Sequence, residues 1–291
     1  MKQLARRAMA HLVSYLPKGV LTDPAFVPIY ERRGIHITPA QYYYPIPMLS
    51  ELGADVWTAK SSLVGIDMRP DEQAALLDRF RAAGYFSEYR DPPRPGFGGV
   101  DGRMLYAMIR DRRPRRFIEI GSGSSTLIAR QALADNGDGG TIVAIEPFEA
   151  PWLEEELAGS GSTIRERVER VPLSVFEAME AGDILFIDSS HTVKVGGDVV
   201  HEINEILPRL PVGVAIHLHD IGLPFNYQPT FKYWAEQYLL QAFLAFNPHF
   251  RVLFGYAYLQ ETMPEALRRN FPGVYVPDVY KMGCFWIERV S

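Results

Sequence analysis

From Arg115 onward the chain alternates short apolar runs with helical patterns, and this alternation limits its fold more than any other feature. RFIEI, TIVAIE, RVERV, DILFID and GVAIHL are rich in Ile, Val, Leu and Phe; LIARQALAD, PWLEEELAG, LSVFEAMEAG and VGGDVVHEINEIL lie between or around them. Apolar strands joined by helices rather than tight turns bury both faces as a mostly parallel sheet with helices on each side. After Asp220 come an insertion, IGLPFNYQPTFKYW, a helical run, AEQYLLQAFLAFN, and two more apolar runs, FRVLFG and GCFWIERV. The expected fold class is α/β.

The first hundred residues have another character. Short helical patterns are separated by Pro-rich loops, QYYYPIPM and YRDPPRPGFGG, and the clearest helix is PDEQAALLDRFRAAG. Pro70 and Asp71 start that helix, Ala74, Leu77 and Phe80 share one face, and Gly84 ends it. We expect an N-terminal helical and Pro-rich cap over residues 1–100 and an α/β domain over 101–291. With 291 residues and 47% hydrophobic side chains, the chain can bury one large core and an extension.

Charge and cysteine content narrow the partners. A formal net charge of -5 argues against a surface given over to nucleic acid and favours a small-molecule substrate. The single Cys284 forms no internal disulfide, which suits a reducing cytoplasm. No apolar run approaches the roughly 18 residues of a membrane-spanning helix. Leu4, Ala8, Leu12 and Leu16 are at helical spacing, so the N-terminus reads as an amphipathic helix that packs on the body or on a second copy in a homo-oligomer.

The first strand leads into Gly121-Ser122-Gly123 and then a helix, the arrangement of a cofactor loop at the carboxyl edge of an open sheet. Thr126 stands where the Gly-x-Gly-x-x-Gly dinucleotide fingerprint has its third glycine. Glu146 ends the next strand, where a carboxylate can accept both hydroxyls of a ribose. A dinucleotide needs close helix approach around its pyrophosphate. S-adenosylmethionine has no phosphate and tolerates the threonine.

On FIEIGSGSST, VAIEP, DILFIDSSH and AIHLHDI, the chain from Arg115 to Ser291 resembles the class I S-adenosylmethionine-dependent methyltransferases. The resemblance implies a Rossmann-like methyltransferase sheet, mostly parallel, with one antiparallel strand near the C-terminus. ITPAQYYYPIP resembles the N-terminal arm of a bacterial subgroup related to small-molecule and sugar O-methyltransferases, with Gln41 and Tyr44 where that arm more often has His and Ser. Carried over by position, Glu119, Gly121, Ser122 and Gly123 contact the methionine part and Glu146 the ribose. In metal-dependent O-methyltransferases, carboxylates at such strand ends hold a divalent ion. Asp188 and Asp220 occupy matching positions, implying Mg or Mn, with Ile221 where the usual third ligand falls.

The residues also permit a metal-free chemistry. Methyl transfer to oxygen needs alignment and removal of a hydroxyl proton, because the donor is already activated. His219 or His191, oriented by Asp188 or Asp220, is a candidate general base. His217 reads as a core histidine. An NAD-dependent oxidoreductase and a non-catalytic partner protein that keeps the fold are the competing readings.

Overall fold

The structure is a computed structural model and describes residues 15, 17–39, 41–148, 150–277 and 282–291. It divides into two compact units, Met1–Val56 and Trp57–Ser291. The expected amphipathic helix over residues 4–16 lies almost wholly outside the described residues. The first unit contains short helical turns at Lys18–Leu21, Pro24–Phe26, Val27–Glu31 and Leu49–Glu51. Asp23 caps one of them by accepting from the Ala25 backbone N–H at 2.8 Å. Tyr42 and Tyr43 pack edge to face, 5.3 Å between centroids.

The second unit is built on a seven-stranded sheet of order β3-β2-β1-β4-β5-β7-β6. Its strands are β1 (Arg116–Ile120), β2 (Thr141–Ile145), β3 (Gly161–Ile164), β4 (Ile184–Ile187), β5 (Ala215–Ile221), β6 (Phe250–Gly255) and β7 (Gly283–Arg289). Every pairing from β3 to β5 is parallel, and β7 runs antiparallel to both neighbours. Strand order therefore reverses between β1 and β4, and ligands collect in the crevice at the carboxyl ends there.

Side chains alternate across the strands and so fill two cores. Phe117, Ile142, Phe186 and Trp286 pack on one face, against α1 (Pro70–Ala82), α2 (Gly99–Arg112) and α3 (Ser124–Asn136). Ile118, Ile145, Leu185, Ile216 and Ile287 pack on the other, with Val199, Ile203 and Leu240. The remaining longer helices are α4 (Pro151–Leu157), α5 (Glu236–Leu244), α6 (Tyr256–Thr262) and α7 (Pro264–Asn270).

Three local expectations change. RVERV is not a strand: Val168–Arg170 forms a helical turn, and Val168 and Val171 point into the core from it. Its place is taken by GSTI, whose Gly161 lies so close to β2 that an added Cβ would stand 2.5 Å from the Ile142 carbonyl oxygen. The helix Gly99–Arg112 went unread because glycines open it and no side chain caps it. The helix expected from Pro70 is present with Ala74, Leu77 and Phe80 buried, but it belongs to the compact unit of the sheet and not to a separate cap.

Candidate active site

The Gly-Ser turn starts where β1 ends. Gly121 has φ +79°, and a Cβ there would lie 1.9 Å from the Asp188 carbonyl oxygen at the end of β4, so only glycine fits. Gly123 is extended, and its missing side chain faces open space. The Ser122 N–H donates to Glu146 Oε2 at 3.2 Å, and the Gly123 N–H to Thr126 Oγ1 at 3.2 Å. Two backbone donors that a dinucleotide loop aims at phosphate are thus used internally. Thr126, in place of the third glycine, is one of the acceptors.

Glu119 lies on the sheet face covered by α3, fully buried. It accepts from Ser125 Oγ at 2.6 Å and from Thr126 Oγ1. Burial pushes its carboxyl up to about 7, against the opposing effect of those hydroxyls. It lines neither of the cavities beside the loop. Through these two hydroxyls Glu119 braces the start of α3, because alternation along β1 turns this side chain toward the helix layer. Arg115, Arg116 and Arg130 pair elsewhere.

Two cavities flank the turn and share Gly121, Glu146 and Asp188. One, of about 340 Å³, has Ile120, Ile145, Phe148 and Val168 on its walls together with the charged Arg167, Lys194 and Asp198. The other, of about 510 Å³, is lined by Ser122, Gly123, Ser124 and Arg94, whose guanidinium lies 4.4 Å from the Trp152 ring centroid. Glu146 stands between them and accepts the Phe148 N–H at 2.9 Å.

Beyond Asp188, three loops converge. His191 Nε2 lies 3.3 Å from Asp188 Oδ1 and 3.7 Å from Asp220 Oδ2, while His191 Nδ1 lies 2.7 Å from Glu236 Oε2. One ligand atom each from Asp188, His191 and Asp220 falls within 4.8 Å of the others, the spacing of a divalent-cation site. His191 and Asp220 both have positive φ, +56° and +55°, a cost for non-glycine residues that gathers at functional sites. Burial disfavours a charged His191, yet its contacts with Asp188 and Glu236 outweigh that and hold its pKa at about 10. Burial raises Asp188 too, but His191 and His219 keep it below its ordinary range. Burial raises Asp220, only partly offset by the two histidines.

The two remaining histidines divide as their strand positions demand. His217 is fully buried and stacks on Phe186 at 4.2 Å, and burial drives its pKa well below the ordinary value. Neither of its nitrogens has a hydrogen-bond partner among the described residues. His219, two residues closer to the strand end, is partly exposed, with Nε2 3.7 Å from Asp220 Oδ1 and Phe97 packed on its ring at 4.7 Å.

Sequence reading missed Glu236 and Arg94. Glu236 looked like an ordinary acid in a helix's first turn, and its nearness to His191 depends on folding over 45 residues. In the insertion before it Leu223 and Tyr227 are buried, and Trp234 packs on His191 at 4.3 Å.

A sheet of this order with β7 reversed, carrying a glycine turn after β1 and an acid after β2, is the Rossmann-like arrangement of the class I S-adenosylmethionine-dependent methyltransferases. In agreement, residues 118–221 match the family described as a methyltransferase domain. An uncharacterized protein of Archaeoglobus fulgidus is 27% identical over 161 residues, 49% of this chain and 73% of its own. Two solved structures are similar at lower identity. An SAH-bound methyltransferase of Podospora anserina has a TM-score of 0.44 and 17% identity, covering 76% of this chain and 89% of that one. An O-methyltransferase of Bacillus cereus in complex with SAH has a TM-score of 0.42 and 16% identity, covering 82% and 94%. Among the described residues no helix is long and apolar enough to cross a membrane.

Proposed function

We propose that this chain methylates a hydroxyl oxygen of a small molecule, with a divalent cation held by Asp188, His191 and Asp220. One observation carries the reading: these three donors converge on one point, and one of them, Asp188, also lines both cavities of the cofactor turn. The bound groups supply an electrophilic methyl carbon on sulfonium, and a Lewis acid such as Mg or Mn that lowers the acceptor hydroxyl's pKa.

The chain's own residues do the rest. Glu146 and the turn at Gly121 orient the donor, and Asp188 and Asp220 set the acceptor oxygen against it. His191 is a poor general base, since both of its nitrogens face carboxylates. His219 is the better proton acceptor, partly exposed beside Asp220. The NAD-dependent reading is disfavoured by the internal use of the turn's N–H groups.

The test is turnover of a hydroxylated acceptor before and after chelation. Chelator should stop methyl transfer, and added Mg or Mn should restore it. Full turnover in chelator, lost in His219→Ala, would replace the cation with a histidine-only mechanism.

A further inference from the structure

The first turn of α5 touches every loop of the cation site. Glu236 Oε2 meets His191 Nδ1 at 2.7 Å, and the His191 carbonyl accepts the Ala235 N–H at 2.8 Å and the Glu236 N–H at 3.2 Å. Trp234 covers the ring face. The next residue, Gln237, accepts the Gly222 N–H at 2.9 Å and donates to the Phe225 carbonyl at 2.9 Å, so it grips the chain just after Asp220. Four consecutive residues thus hold His191 by side chain and backbone and fix the loop that leaves β5.

Stability alone does not call for a carboxylate here. Glu236 is 1% exposed, and its Oε1 has no hydrogen-bond partner among the described residues. A buried carboxylate of this kind is seldom better for stability than a well-packed apolar residue. What it provides, and an apolar residue would not, is an acceptor that fixes a histidine's proton on Nδ1 and orients Nε2 toward a ligand.

We propose that Glu236 is the positioning residue of the site, holding His191 with Nδ1–H toward itself and Nε2 presented to the point between Asp188 and Asp220. This rests on the cation reading above, and the measurements separate the two. Manganese binding to the full chain is followed by electron paramagnetic resonance for wild type, Glu236→Gln and Glu236→Ala. S-adenosylhomocysteine affinity and circular dichroism serve as controls.

Glu236→Ala should weaken manganese binding by about 10- to 100-fold, the usual effect of losing such a partner. Glu236→Gln should lose less, since its amide oxygen still accepts from Nδ1–H. S-adenosylhomocysteine affinity should stay unchanged, because Glu236 lines neither cavity. Equal manganese affinity in all three folded proteins overturns the proposal. If wild type takes up no manganese, the cation reading fails by itself, and imidazole nitrogen NMR decides on Glu236. A proton on His191 Nδ1 that loses its fixed place in the variants supports the positioning role, and identical spectra overturn it. Should Glu236→Ala not fold, Glu236→Met, which keeps the length of the side chain without the oxygen acceptor, answers both questions.

Discussion

Replacing Glu119 with Gln should remove a defined part of the pH dependence of stability. The folded chain holds this carboxyl at about 7, whereas the unfolded chain titrates it near 4.5. Below about 4.5 both states are protonated. As pH rises toward 7, the unfolded chain releases its proton while the folded one keeps it, so wild type loses stability across that window. At about 1.4 kcal/mol per tenfold change in proton affinity, the loss is about 3 kcal/mol. The amide introduced by Glu119→Gln does not titrate; its oxygen can accept from one hydroxyl, and its nitrogen can donate to the other. Urea unfolding of both proteins at intervals from pH 4 to pH 8 gives the difference in stability directly. It should shift in the variant's favour by about 3 kcal/mol, with most of the change between pH 4.5 and 7. Curves that stay parallel would refute the claim that burial, and not the hydroxyls of Ser125 and Thr126, dominates this carboxyl.

Glu146→Ala should weaken S-adenosylhomocysteine binding by about 1.5 to 3 kcal/mol, the scale of hydrogen bonds to a charged group, as read by calorimetry; unchanged affinity would remove Glu146 from the ribose site. Gly121→Ala should lower the unfolding midpoint and abolish binding together, since its Cβ would fall 1.9 Å from the Asp188 carbonyl oxygen and φ is +79°. A stable variant that binds normally would contradict that packing. His217→Phe should retain turnover and resist acid better than wild type. The folded wild-type ring stays neutral while the unfolded ring gains a proton as pH falls through about 6.5, so wild type loses stability there and the variant does not. Lost activity in a folded His217→Phe would bring this residue into the site.

Local chemistry made much of the protein legible along the chain. Strands of Ile, Val and Phe spaced by helices permit few arrangements other than a covered parallel sheet. Gly121 and Glu146 announce themselves because a strand end on such a sheet has a known relation to its ligand crevice. Asp188, His191, His219 and Asp220 were visible for the same reason, as strand-end residues of β4 and β5. Other features depend on what comes near in space. Glu119 reads as a ligand contact in sequence, and its hydrogen bonds with Ser125 and Thr126 arise only because alternation along β1 carries it under α3. His191 is a candidate base in sequence, and only the fold brings Glu236 to its Nδ1 and turns its Nε2 toward Asp188 and Asp220. Glu236 carries no mark in sequence at all. A carboxylate's role is set by which groups fall within about 3 Å of its oxygens, and for Glu236 the nearest is a histidine ring 45 residues away that only the docking of α5 on the loops after β4 and β5 brings to it.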